Sequence, residues 1–110
     1  MKKRYHSISE VRADLERGNI TLPTLVAYYL QKIEDQKRVN AFVEVYAEEA
    51  LASAAQIQEK WLEGKAGKLA GLVVGIKDNI CYKGHQVSAS SLILQGFESL
   101  YSATVVERLL

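Results

Sequence analysis

One cysteine, one proline, one methionine and one tryptophan in 110 residues leave little room for several kinds of chemistry. The single thiol, Cys81, can build neither a disulfide framework nor a zinc site made of cysteines. His6 and His85 are the two histidines; they lie far apart in sequence and no third ligand accompanies them, which argues against a metal centre. No apolar run approaches the roughly 18 residues of a transmembrane helix. The basic start MKKRYHSISEV is not followed by the apolar stretch of a signal peptide. A cytoplasmic protein without a membrane partner is expected. The net charge is only +1, with both signs interleaved, which is not the footprint of a chain that holds nucleic acid by itself. Lys2, Lys3 and Arg4 form the one basic cluster, and short basic termini are usually just solvated.

What is present suits a globular chain: 48% hydrophobic and 25% charged residues. Ser7-Ile8-Ser9-Glu10 has the spacing of a capping box, Ile8, Val11 and Leu15 share one helical face, and Gly18 is a natural stop. Thr21 opens a second helix with Pro23 in its first turn, carrying the stripe Leu22, Leu25, Val26, Tyr29 and Ile33; the polar stretch from Glu34 to Asn40 ends it. Ala41 to Tyr46 reads as a short strand. A third helix is expected from about Ala47 to Glu63, with Ala50, Leu51, Ala54, Ala55, Gln58, Trp61 and Leu62 on one side and alanines suited to a flat partner such as a sheet. Gly64, Gly67 and Gly71 then break the chain. GLVVGI reads as a strand buried on both faces, because alternation is absent and β-branched residues are frequent. Ser102 is the expected N-cap of a last amphipathic helix containing Val105, Val106, Leu109 and Leu110. That helix ends without a cap, so the chain reads as cut. The order α-α-β-α-β-loop-α suits part of a mixed α/β layer architecture.

Most candidate motifs have ordinary readings. Gly64-Lys65-Ala66-Gly67-Lys68 lacks both the glycine spacing and the hydroxyl of a phosphate loop, and Gly71 and Gly75 are out of register for a dinucleotide fingerprint. Cys81 has no base at a useful spacing and reads as a small semi-buried thiol. Ser88, Ser90 and Ser91 read as turn chemistry. Lys77, in GLVVGIKDNI, is different, because it places an ammonium group at the end of an apolar run. Either it reaches water or pairs with the adjacent Asp78, or it is a desolvated base held by the stiff Val73-Val74 segment.

LAGLVVGIKDNICYKG, followed at a distance by SATVVERLL, closely resembles the amidase signature family. NAFVEVYAEEAL and AGKLAGLVVGIKDNI are similar to its tRNA-dependent amidotransferase branch in particular. The resemblance covers essentially the whole chain. It implies an α/β fold, N-terminal helices followed by the strands and helices of a mixed sheet, with residues 1–110 the N-terminal fragment of a single amidase-signature domain. It also implies a Ser–cis-Ser–Lys active site and places the lysine at Lys77. There a neutral lysine acts as base on a bridging serine, which relays the proton from the nucleophilic serine; an acyl-enzyme forms and ammonia leaves. In the amidotransferase branch the ammonia comes from glutamine and passes from the A subunit to the B subunit. The latter uses ATP and Mg to activate a misacylated tRNA, and a small C subunit helps hold the assembly together. No cofactor or metal is implied for this chain.

Both serines of that triad belong to a Gly/Ser-rich stretch expected well beyond residue 110, so Ser88, Ser90 and Ser91 are not assigned to them. The chain alone is therefore expected to be inactive, and to self-associate through unpaired apolar edges. A free-standing hydrolase of small amides and a catalytically silent interaction module are the alternative readings. Glutamyl- and aspartyl-tRNA are both open as final acceptors.

Overall fold

The first helix begins where both halves of its capping box are satisfied. In a computed structural model describing residues 3–110, Ser7 Oγ accepts the Glu10 N–H at 3.2 Å. Glu10 returns a bond to the N–H of His6 at 2.9 Å, one residue ahead of the usual recipient. Helix α1 (Ile8–Glu16) ends in a Schellman motif. Gly18, at φ +71°, donates to the Leu15 carbonyl at 3.1 Å, and Asn19 donates to the Asp14 carbonyl at 2.9 Å.

Helix α2 (Leu22–Asp35) is capped by Thr21, whose side chain accepts the Thr24 N–H, and carries Pro23 in its first turn. The Leu22 N–H has no acceptor within its own helix, and it donates instead to Gln58 Oε1 at 2.7 Å. A 3-10 turn, Lys37–Val39, follows, and Asn40 adopts the left-handed conformation. Helix α3 (Ala47–Leu62) starts with Glu48 and Glu49, acidic groups that favour a helix N-terminus. It closes as α1 does: Gly64 donates to the Trp61 carbonyl at 3.1 Å and Lys65 to the Lys60 carbonyl at 2.8 Å.

These helices share one core of Val11, Leu15, Ile20, Leu22, Leu25, Val26 and Ala54. Leu25 is wholly buried. Of the expected α2 stripe, Leu22, Leu25 and Val26 are buried and Tyr29 and Ile33 half-buried. On α3 the packed side is Ala50, Ala54, Ile57 and Trp61, whereas Leu51, Ala55 and Leu62 are exposed. The partner of its alanines is the helix α2, not a sheet.

The carboxylate of Asp14 is buried on the rim of this core. Lys3 Nζ donates to it at 2.8 Å, the Tyr5 hydroxyl at 2.8 Å and Asn19 Nδ2 at 3.3 Å. Those donors, Lys3 first and Tyr5 next, lower its pKa to about 2. The Tyr5 hydroxyl is pushed up to about 12 by burial, then by its bond to Asp14. A carboxylate depressed on folding stabilises the folded state above its ordinary value of 3.8, and that contribution fades as pH falls through the folded value. Denaturant titrations read by Trp61 fluorescence are therefore expected to show stability falling from about pH 4 toward pH 2, with a shallower fall in Asp14→Asn. An identical acid slope in the variant would count against this.

Arg12 ties the end of the same unit to α1. Its Nη1 donates to the Lys68 carbonyl at 2.8 Å, and its guanidinium lies 4.9 Å from the centre of the Trp61 ring. Ala70 is buried, and Gly71 turns at φ +97° against the core. A Cβ there would stand 3.1 Å from Val11 Cγ1 and 3.5 Å from Leu15 Cδ1. Both the backbone angle and the crowding resist a side chain. Gly71→Ala is expected to cost about 1–3 kcal/mol, measured by the same Trp61 transition; an unchanged midpoint would refute this packing argument.

The expected α/β pattern is not what the described residues form. They contain helices, turns and one isolated antiparallel bridge, Gln86 to Glu98, and neither 41–46 nor 71–76 is a strand. A strand needs a neighbour to take its N–H and C=O groups, and no described segment pairs with either run. Phe42, Val43 and Val45 are exposed, as are Leu72, Val73, Val74 and Ile76. Among the described residues no helix is long and apolar enough to cross a membrane.

The chain divides into two compact units, the second being Val74–Leu110. In that unit Gly84 donates to the Ser99 carbonyl at 3.0 Å, Ser99 to His85 at 2.9 Å and Val87 to Phe97 at 3.1 Å, around buried Val87 and Ser99. Helix α4 (Thr104–Leu109) has Ala103, not Ser102, at its N-cap. Ser102 Oγ is engaged elsewhere, accepting the Lys83 N–H at 3.0 Å. Val106 is the buried residue of α4, whereas Val105 and Leu110 are exposed.

Candidate active-site segment around Lys77

Lys77 closes the run 72–77, which lies in neither helix nor strand, and opens a turn in which the Ile80 N–H reaches its carbonyl at 2.9 Å. Its side chain is exposed. Asp78 does not serve as a salt-bridge partner for it; the carboxylate is committed to a second turn ten residues on. Asp78 Oδ1 accepts the Ser88 N–H at 3.0 Å, and Oδ2 accepts the Ser88 hydroxyl in a short bond. The Asp78 backbone carbonyl accepts the Ala89 N–H at 3.0 Å. The Ser88 hydroxyl, then the N–H groups of Ser88 and Ser90, hold the Asp78 carboxyl below the usual range, and the Lys77 charge adds a smaller pull.

The turn held this way has an uncommon backbone. Ala89 sits at φ +47° and Ser90 at φ +61°; a non-glycine residue in the left-handed region costs of order 1–3 kcal/mol and persists only where its surroundings hold it. Asp78 supplies such a hold through two side-chain oxygens and one carbonyl. The turn reading of the serine run is met: Ser88 binds Asp78, and the Ser91 N–H closes on the Ser88 carbonyl at 2.8 Å. The pairing of Ser88 with Asp78 was not foreseen from sequence. Its only signal was an acidic residue at a strand-like end with a hydroxyl-rich turn nearby.

The remaining candidates stand as follows. Cys81 is half-buried; its carbonyl accepts the Ala103 N–H at 2.8 Å, and its thiol, hydrogen-bonded to Tyr101, raises the pKa of that hydroxyl. His85 stacks on Tyr82 with ring centres 3.8 Å apart, and its Nδ1 lies 2.9 Å from the Lys83 carbonyl. His6 is exposed on the approach to α1. Of the basic cluster, Lys3 pairs with Asp14, Arg4 is exposed, and Lys2 lies outside the described residues. The 64–68 segment presents carbonyls of Gly67 and Lys68 to Arg12, the opposite polarity to a phosphate cradle.

Comparison with known proteins bears on the family of the chain. The Amidase family profile matches residues 24–110, and the chain belongs to that family. It is 39% identical over 106 residues to the A subunit of glutamyl-tRNA(Gln) amidotransferase from Chlorobaculum tepidum, covering 96% of this chain and 22% of that protein. The same subunit of Brachyspira hyodysenteriae is 40% identical over 108 residues, covering 94% and 22%. That of Synechococcus sp. strain CC9605 is 42% identical over 111 residues, covering 99% and 23%. The chain thus spans about a fifth of the length of these curated relatives.

Proposed function

We propose that this chain is the N-terminal portion of the glutamine-hydrolysing A subunit of a tRNA-dependent amidotransferase, a cytoplasmic enzyme that converts misacylated Glu-tRNA(Gln) to Gln-tRNA(Gln). The observation that carries this reading is the 39–42% identity to three amidotransferase A subunits over 94–99% of the chain. Their shared name favours it over a free-standing amidase. In the full-length protein, the runs 41–46 and 71–76 join a mixed sheet of an α/β amidase-signature domain, of which residues 1–110 are one part.

In this reading Lys77 is the base of the Ser–cis-Ser–Lys triad, and both serines come from the longer parent chain. The lysine accepts a proton from the bridging serine, which takes one from the nucleophile. The nucleophile's oxygen bonds to the side-chain carbonyl carbon of glutamine, the C–N bond breaks with proton return to nitrogen, and ammonia leaves. Water then releases glutamate from the acyl-enzyme. The ammonia passes to the B subunit, where ATP and Mg activate the misacylated tRNA, and the C subunit supports the assembly.

Lys77→Ala in the full-length complex is expected to lower glutaminase kcat by about 10²–10⁴-fold, the usual loss on removing a general base. Lys77→Arg should be nearly as damaging, because a guanidinium keeps the charge and cannot give up its proton near neutrality. A lysine that merely reaches water would tolerate arginine, so near wild-type activity in that variant would sink the assignment. Without a serine nucleophile, the 110-residue chain alone should release no ammonia from glutamine.

The exposed apolar run at Leu72, Val73, Val74 and Ile76 supports a second property of the isolated chain. Unpaired strand-forming segments recruit other copies. Light scattering at rising concentration should detect association, and a hydrophobic dye should bind, both weakened in Val74→Lys. A monomer at every concentration with no dye bound would contradict this.

A further inference from the structure

We propose that Asp78 is a positioning residue that staples the Lys77 backbone to the Ser88–Ser90 turn and so fixes where the lysine side chain points. The inference rests on the reading of Lys77 as the base. On its N-terminal side Lys77 follows a run that is in no hydrogen-bond ladder and is exposed to water. That side does not set its direction. On its C-terminal side the neighbouring residue is bonded repeatedly to one turn: the Ser88 N–H and Ser88 hydroxyl donate to its carboxylate, and the Ala89 N–H donates to its main-chain carbonyl. The turn in exchange adopts two consecutive left-handed residues, Ala89 and Ser90, neither of them glycine. Such a conformation persists only when something holds it.

The same bonds set which way the Asp78 carboxylate faces. A free carboxylate next in sequence would be the nearest ion-pair partner for the ammonium. Because both Asp78 oxygens already accept from Ser88, the carboxylate is turned to the serine run. Lys77 Nζ enters no ion pair or side-chain hydrogen bond among the described residues. The hydroxyl of Ser88 thus anchors the turn to the carboxylate beside Lys77.

The test uses the full-length protein in its assembled enzyme, with L-glutamine as substrate and kcat and KM measured per folded enzyme. Asp78→Asn is expected to lower kcat about 10²-fold and Ser88→Ala about 10-fold, sizes typical of a misplaced catalytic group. KM should stay within about twofold in both, since neither bond is made to substrate. Ser88→Thr, which keeps the hydroxyl, should recover kcat to within about threefold of wild type. Wild-type kcat in Asp78→Asn would overturn the proposal. So would a loss that appears equally in KM or is not rescued by threonine, since that pattern marks a merely structural role. Lys77→Ala is run alongside: if it is active, the reading of Lys77 as base fails, whereas an inactive Lys77→Ala beside a fully active Asp78→Asn removes the staple alone.

Discussion

The contact between α2 and α3 is the interaction on which the first unit depends. Ala54 of α3 and Leu25 of α2 belong to the one core, in which Leu25 is completely buried, a residue type whose burial is worth about 1.5–3 kcal/mol. With the two helices in place, Gln58 reaches the first N–H of α2. Trp61 then offers its ring to Arg12, and Arg12 gathers the carbonyls of the 67–70 turn. That turn sets Gly71 on Val11 and Leu15. Each step uses a polar or small residue to carry the effect of an apolar contact one segment further along the chain.

Two carboxylates serve as hubs, and they differ in how they are satisfied. Asp14 is buried and takes one charged donor, Lys3, together with the Tyr5 hydroxyl and the Asn19 amide. A buried charge is tolerated only with such full pairing, and it joins the residues before α1 to the end of that helix. Asp78 is half-buried and takes neutral donors, a hydroxyl and backbone N–H groups. Hydrogen bonds to an ionised acceptor are worth more than neutral ones, which is how a short side chain can hold a turn in an unfavourable conformation. One hub steadies the core; the other shapes the segment that carries Lys77.

Features decided within a few residues were legible in the sequence. Ser7 and Glu10, Thr21 and Pro23, Gly18 and Gly64 all specify helix ends through bonds inside one turn, and these ends lie where the residue types place them. The buried stripe Leu22, Leu25 and Val26 was legible for the same reason, being one face of one helix. Strands are decided by a partner distant in sequence, so 41–46 and 71–76 have strand composition without being strands. Ser102 illustrates a competition between two local bonds: a hydroxyl suited to an N-cap instead accepts the Lys83 N–H from nineteen residues away. At the candidate site the lysine was singled out by its place after an apolar run and assigned a role by resemblance. Its neighbour's partner, Ser88, was hidden because the ten residues between them carry no periodic pattern.

The exposure of Lys77 has a direct bearing on how such a base would work. A lysine acts as a base only where its charged form is disfavoured, and burial is the main cause of that. In these residues Leu72, Val73, Val74 and Ile76 are 41–46% exposed, and the lysine that follows them is open to water. The surfaces that would bury this run are also the ones that would supply its missing ladder bonds, since a strand flanked on both sides is both paired and desolvated. Under the proposed function, strand formation and activation of the lysine would be one event. The bonds of Asp78 lie within 78–90 and need no sheet.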